Sequence, residues 1–429
     1  MKVCVLEQGV KFPSTTPPEE TLQDTLHLYE ETAKFAKEQG CQLLVCPEMG
    51  ALTGIAPQDR FVTAEVLPRI GQAPDPSNQA TLCALAEIAR QNELHLVVST
   101  IEKADAFYNT TVILTPQGTL AGRHRKKHLY LEPCITPSGE EARRIHLEGI
   151  GDVEFITCFD VYFAEANREE PSDLAIMVAH WYDEIPNLTL LSVARGWSVS
   201  NQTPIIVSNC RSVRQATLGA GLFHPNGNGK YSMSFSKDKE CVHIFDLDEK
   251  ATLIREPKDV LTPDTYQPII GDLKRFDRLV LRDKSGILKI DLPTISCQIM
   301  YELRGLSQDV IYFMMAADGI RRFGNGDSLY LQELYIVALN KQSREVSVVS
   351  GNPFRTLRLS MGIKNENQRR TVFPIVVGDN LSLIGPERWQ FDHEVLELQV
   401  EGAIVCAGMC RRVFNKDVPV VSRKRSRTM

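Results

Sequence analysis

Three ionisable side chains stand where apolar runs of this sequence give out. Cys158 follows Phe155 and Ile156 in GDVEFITCFDVYFAE, Gly151 to Glu165, with Asp160 two positions on. Glu48 follows Leu43, Leu44 and Val45 in CQLLVCPEMG, and Lys126 lies in GRHRKKHLYLE, which ends at Glu132. Each has a plain reading when taken alone: a free cysteine is commonly a small buried hydrophobe, a glutamate past a strand is a solvated charge, and Lys126 is one member of a basic run. Taken together they supply what hydrolysis of an amide requires. An amide is a poor electrophile, so its cleavage is helped by a strong nucleophile, a proton donor for the departing amine and positive charge where the oxyanion forms.

Chemistry of this kind needs elements that bring three distant stretches to one place. Strand ends in α/β sheets are where reacting groups gather, and the pattern is of that type. A strand Val3 to Leu6 precedes an amphipathic helix from about Glu19 to Gln39, in which Leu22, Leu26, Tyr29, Ala33 and Ala36 recur at helical spacing and Gly40 ends the run. Strand Leu43 to Val45 leads to Glu48. The Pro-containing loop Gly50 to Asp75 is long enough to be functional and is placed to wall a pocket. A second helix, about Asn78 to Gln91, precedes strand Leu94 to Thr100. Strand Thr111 to Thr115 leads to the lysine segment and strand Asp152 to Cys158 to the thiol. Strand Leu174 to Val178, a helix from about Leu188 to Ser200 and strand Pro204 to Asn209 complete an α/β series.

The three strand exits, PE after an apolar run, RKKHL and FITCFD, resemble the nitrilase, or carbon-nitrogen hydrolase, superfamily. Within it the chain is most similar to the vanin and biotinidase branch, through YNTTVIL at Tyr108 to Leu114, LGAGLF at Leu218 to Phe223, and a distal stretch from ISCQIMYEL through YFMMAADGIRRFGNGDSLYLQ. The resemblance implies an α/β fold of nitrilase type, an αββα four-layer sandwich, with a smaller β-rich C-terminal domain. It implies Cys158 as nucleophile and Glu48 as the base that takes the thiol proton, passes it to the leaving amine and then activates water. Lys126 and the backbone N–H of Phe159 would hold the oxyanion, with Glu132 in support. The substrate so implied is pantetheine, giving pantothenate and cysteamine, or in second place a biotin amide. A catalytically idle binding or regulatory protein on the same scaffold is the alternative of a different class, and the complete Glu48, Lys126 and Cys158 set speaks against it.

Other candidates remain open. Lys127 neighbours Lys126, and the spacing to Leu129 favours Lys126. His128 invites a Cys/His pair of the papain type, against a packed or surface histidine. His180, Trp181 and Tyr182, at a strand end, either line the pocket or are core aromatics. No metal is expected: there is no Cys-x-x-Cys, and His124 and His128 sit among Arg123, Arg125, Lys126 and Lys127, whose charge repels a cation. Cys406 and Cys410 read as a disulfide or as two buried thiols. No cofactor is expected, since the glycines of GAGLF and NGNGK do not open a helix after a strand.

The 429 residues suggest two domains: a catalytic domain over 1–245, a connecting wrap over 246–291, a β-rich domain over 292–415 with strands Tyr330 to Asn340, Glu345 to Val349, Thr356 to Ser360 and Val395 to Val400, and a basic tail over 416–429. With 43% apolar and 24% charged residues and a net charge of -6, the composition is that of a globular protein and argues against nucleic acid as a partner. The expected partner is a small amide substrate. No run of 18 apolar residues predicts a membrane span, and the termini show neither the apolar h-region of a signal peptide nor an apolar anchor tail. Eleven cysteines, ten beside Cys158, and acceptor sequons at Asn109, Asn187 and Asn201 lean toward disulfides, glycosylation and an extracellular or secretory location, with a cytoplasmic one as the alternative. Leu331-Gln332-Glu333-Leu334 stands where vanins tend to carry a cysteine, so at least one family disulfide is expected to be absent.

Overall fold

A computed structural model describes the chain except residues 14, 140–143, 168–169, 236–238, 250–251, 257–265, 306, 324–326, 348–353, 365–369, 400–402 and 418–429. The basic run Arg423 to Arg427 and part of the expected strand Glu345 to Val349 lie outside the described residues.

Strands with apolar residues at nearly every position are strands buried on both faces, and the first half is built from them. Lys2–Gly9, Leu43–Val45, His95–Lys103, Phe107–Leu114 and Leu120–Arg125 form one sheet, with Cys241–Asp246 on its far edge. Ile145–Leu147, Gly151–Thr157, Leu174–Ala179, Ile205–Arg211, Ala220–Phe223, Gly229–Ser232 and Ile254–Arg255 form a second. The sheets touch edge to edge where Gln8 pairs with Cys210. They pack face to face through Val3, Val5, Leu43 and Val97 from one and Val153, Phe155, Ile176 and Ile206 from the other.

Helices α1 (Pro18–Glu38) and α2 (Ala80–Asn92) bury Leu22, Leu26, Leu82 and Leu85 on the outer face of the first sheet. Helix α3 (Leu190–Asn201) buries Leu191, Val193, Ala194 and Trp197 on the outer face of the second. The result is the expected αββα sandwich.

The second half is a separate β-sandwich. One antiparallel sheet runs Asp277–Val280, Val310–Arg322, Ser328–Asn340, Ile404–Val413, Arg370–Gly378, and the other Ser285–Asp291, Ile295–Leu303, Phe354–Ile363, Val395–Gln399, Trp389–Phe391. Two of these strands fall inside the expected wrap 246–291. Asp277–Val280 and Ser285–Asp291 are short edge strands whose exposed charges mask their pairing, and strand Ile254–Arg255 belongs to the catalytic sheet. Where Val346 was expected within a strand, it makes only an isolated bridge to Leu339.

The first C-terminal sheet packs its inner face against its partner sheet and lays Tyr335, Phe373 and Ile375 of its outer face on α3. Close approach is possible because α3 carries Gly196: a Cβ there would lie 2.9 Å from the Pro374 carbonyl oxygen.

The disulfide and sequon expectations are corrected here. All eleven cysteines are free thiols. Cys406 and Cys410 are four positions apart on one extended strand, about 13 Å at ~3.3 Å per residue, beyond the reach of a disulfide. Asn109, Asn187 and Asn201 are buried and hydrogen-bonded inside the fold, so none presents its amide to solvent. Among the described residues no helix is long and apolar enough to cross a membrane.

Candidate active site

The strand ends deliver their residues to one point. Glu48 leaves strand Leu43–Val45 through Cys46 and Pro47, and the chain turns at once, with Met49 at φ 53°. Lys126 is the first residue past strand Leu120–Arg125, its N–H donating to the Asn109 carbonyl at 2.8 Å. Cys158 follows strand Gly151–Thr157 in the left-handed region at φ 49°, opening the 3-10 turn Cys158–Tyr162. A non-glycine residue held there is sterically disfavoured. The turn directs the thiol out of the sheet.

Lys126 Nζ donates to Glu48 Oε1 at 2.6 Å and lies 3.2 Å from Glu132 Oε2, with Glu48 and Lys126 both buried. The thiol of Cys158 lines the same cavity wall as Glu48 and Lys126, and the three act on one another electrostatically. Two further groups complete the cluster, and neither was anticipated in these roles. Asn109 donates its amide to Glu48 Oε1 at 2.9 Å and to Glu132 Oε1 at 2.6 Å, while its own carbonyl oxygen accepts from Ser99 at 3.1 Å. The backbone N–H of His180 donates to Glu48 Oε2 at 3.0 Å.

The electrostatics set the protonation states. Burial alone would raise Glu48, but Lys126 outweighs it and holds the carboxyl below its usual range. Glu132 is pushed the other way, first by burial, which Lys126 only partly offsets, and then by the charge on Glu48. Burial and the neighbouring Glu48 hold the Cys158 thiol well above its usual range. Burial opposes the charge on Lys126, yet Glu48 and Glu132 hold it well above the ordinary lysine range. The resting site is a neutral thiol facing an ionised carboxylate and an ammonium, an arrangement in which the thiol needs a base.

The other expected residues separate cleanly. Lys127 turns away to an ion pair with Glu165, which also accepts from His128 Nε2 at 3.4 Å. His128 stacks flat on Phe163 at 3.3 Å and its N–H donates to Asp160 Oδ1, so it is a packed histidine and not a partner of Cys158. Asp160 also meets His124 Nε2 at 3.2 Å and so ties the nucleophile turn to the lysine segment. Phe159 follows Cys158 at the start of the 3-10 turn, where backbone N–H groups have no partner within the turn itself. Its ring packs against Tyr130, Tyr162 and Phe163, and against Phe323 of the C-terminal domain.

His180 and Tyr182 stack beside the thiol, and Trp181 is buried with its indole N–H donating to the Leu188 carbonyl at 3.1 Å. All three line a small cavity of about 50 Å³ with Cys158, Phe159 and Phe323. A larger cavity of about 380 Å³ adjoins it, walled by Glu48, Lys126, Cys158, Glu132, Tyr130 and, from the loop after Glu48, Arg60. That loop walls the pocket as its length predicts. Arg60 was not singled out, and a charged residue within a wall loop was the only signal for it.

Among the described residues one further group of possible metal ligands exists, Glu7, Cys241 and His243, away from this cavity. Glu7 is already paired with the buried Arg211 at 2.8 Å and accepts from the Gly219 N–H.

Residues 9–255 match the carbon-nitrogen hydrolase family. A pantetheine hydrolase of Homo sapiens is 22% identical over 367 residues, 74% of this chain and 70% of that one. A biotinidase of Takifugu rubripes is 26% identical over 237 residues, 48% of this chain and 46% of its own. Among solved structures, an amidase from Nesterenkonia sp. AN1 aligns with a TM-score of 0.45 at 19% identity, over 58% of this chain and 93% of that one.

Proposed function

The chain belongs to the carbon-nitrogen hydrolase family, on its vanin and biotinidase branch, and is a hydrolase of amide bonds; from that premise we propose that it cleaves a small linear amide through a thioester on Cys158. The observation that carries the reading is the Glu48 carboxylate, bonded at once to Lys126, Asn109 and the His180 N–H and facing the cavity that the Cys158 thiol lines. Glu48 takes the thiol proton as sulfur attacks the amide carbon. The tetrahedral oxyanion is held by Lys126 and the Phe159 N–H. Glu48 returns the proton to the leaving amine, which departs as the carbonyl re-forms, and then draws a proton from water as it opens the thioester. Glu132, its carboxyl pushed toward the protonated form, steadies Lys126 and Asn109.

Pantetheine is the first amide to assay, because a pantetheine hydrolase and several pantetheinases are among the relatives; biotin amides come second. Purified protein offered pantetheine and biocytin side by side should release cysteamine or lysine. Cleavage of neither, with no acyl adduct on Cys158 by mass spectrometry, defeats the reading.

For the compartment, likeness to vanins supports an extracellular or secretory setting. The eleven free thiols and three buried sequons support the cytoplasmic alternative. Alkylation of denatured protein from its native source, without reductant, decides between them: eleven reactive thiols for the cytoplasm, fewer for an oxidising space.

A further inference from the structure

The cavity beside Cys158 is lined by three side chains able to carry positive charge, Arg60, Lys126 and His180. Two are already accounted for. Lys126 is bound between Glu48 and Glu132. His180 is buried, and that desolvation lowers its imidazole to about 4, so it is neutral near pH 7. Arg60 is different. Its Nε donates to the Ile55 carbonyl at 3.1 Å, which fixes the plane of the guanidinium. Among the described residues no carboxylate forms an ion pair with it.

A guanidinium stays charged under any ordinary condition, and partly buried charges are normally paired. Here, among the described residues, no carboxylate stands within ion-pair reach, although Glu132 acts on Arg60 from the wall of the same cavity. The terminal N–H groups of an arginine form a fork that matches the two oxygens of a carboxylate. Leu131 and Ile269 line the same cavity and are exposed, an apolar stretch of wall that offers an anion nothing.

We propose that Arg60 reads a carboxylate on the substrate, so that the amides this enzyme takes are small linear ones bearing a carboxylate beyond the scissile bond. This rests on the amide-hydrolase reading and narrows it. Pantetheine is neutral, whereas biocytin carries a carboxylate on its lysyl end, and the preference runs toward the second kind.

Two alkylating reagents of nearly equal size test this without a known substrate. Intact protein is treated with iodoacetate, which is anionic, and iodoacetamide, which is neutral, and the Cys158 peptide is quantified by mass spectrometry against free N-acetylcysteine. The iodoacetate to iodoacetamide ratio at Cys158 should exceed the free-thiol ratio by ~10- to 100-fold, the range for hydrogen bonds to a charged group. Arg60→Gln should return it to the free-thiol value, with Arg60→Lys between. Glutarate, and not its dimethyl ester, should protect Cys158 from iodoacetamide in the parent protein. A parent ratio no higher than that of the free thiol, or equal protection by diacid and diester, overturns the proposal, and neither depends on how the variants fold. Failure of both reagents to label Cys158 means that neither reaches the thiol through the cavity and overturns the proposal, while cleavage of an uncharged amide by the same sample keeps the amide-hydrolase reading apart from it.

Discussion

Both sandwiches of this chain bury charged side chains, and the company those charges keep differs. In the catalytic sandwich, Glu48, Lys126 and Glu132 meet one another and a thiol at the rim of a cavity. In the C-terminal sandwich, Arg411 donates to the Met361 carbonyl at 3.1 Å and to Gln332 at 3.2 Å, and Glu333 is enclosed by Arg275 and Asn187. Arg412 reaches across the domain boundary to the carbonyl of Tyr162 at 2.6 Å, on the nucleophile turn. Charge buried against carbonyls and fixed counterions, as Arg412 is against Asp417 at 2.6 Å, holds the chain in place, whereas charge buried against a thiol sets its reactivity. The second sandwich is placed to brace the first. Phe323 against Phe159 and Arg412 against Tyr162 are where the brace bears on the site.

The largest effects should come from the reactive cluster. Cys158→Ala should abolish turnover and leave the circular dichroism spectrum unchanged. Glu48→Gln should cost ~10² to 10⁴-fold in kcat, the range for acid–base catalysis. Either variant within about tenfold of the parent would break the contrast drawn above.

Next come the two lysines. Lys126→Ala should lower kcat by at least ~10² to 10³-fold and, by leaving Glu48 and Glu132 without their cation, destabilise the fold by ~3–5 kcal/mol in urea titration. Lys127→Ala loses one partly exposed pair and should cost no more than about 1 kcal/mol, with activity near the parent's. The reverse ranking would move the oxyanion role to Lys127.

These residues also show what could be read without coordinates. The strand exits carrying Glu48 and Cys158 were legible because strands buried on both faces read as unbroken apolar runs that stop abruptly, whereas Lys126 leaves Leu120–Arg125, whose alternating charged residues hid it as a strand. Asn109 was not, since an asparagine inside a strand pattern looks the same whether it is a sequon or a clamp. The role of His180 was invisible for another reason: it acts through its backbone N–H, which every residue but proline has. Strands Asp277–Val280 and Ser285–Asp291 passed for a wrap because only one face of each is covered.

A smaller effect tests the brace. Arg412→Met removes the charged donor from the Tyr162 and Tyr330 carbonyls and breaks the ion pair with Asp417, and should cost ~1.5–3 kcal/mol per bond lost. If the second sandwich steadies the nucleophile turn, kcat falls with stability while KM holds. Lost stability with kcat intact would reduce the brace to mere attachment.

The smallest effect is one of pH. Burial raises the Asp183 carboxyl to about 7, although it accepts from the Leu190 N–H and the Tyr266 hydroxyl at 2.8 Å each. The folded state keeps this proton up to about pH 7, while the unfolded chain releases it near the ordinary aspartate value of 3.8. The folded state thus binds more protons across that interval, and this group's contribution to stability falls as pH rises through it. Asp183→Asn should flatten that slope in thermal melts taken from pH 4 to 7; an unchanged slope would assign the dependence to other groups.

The placement of Asn109 reaches beyond catalysis to how the chain can be made. Its side-chain amide is the atom group an oligosaccharide transferase would modify in Asn109-Thr-Thr, and it is the same group that holds Glu48 and Glu132 together. In a glycosylating compartment, closure of the strand Phe107–Leu114 would race the transferase for one nitrogen. A chain that lost the race would carry its sugar in place of its clamp and emerge inactive.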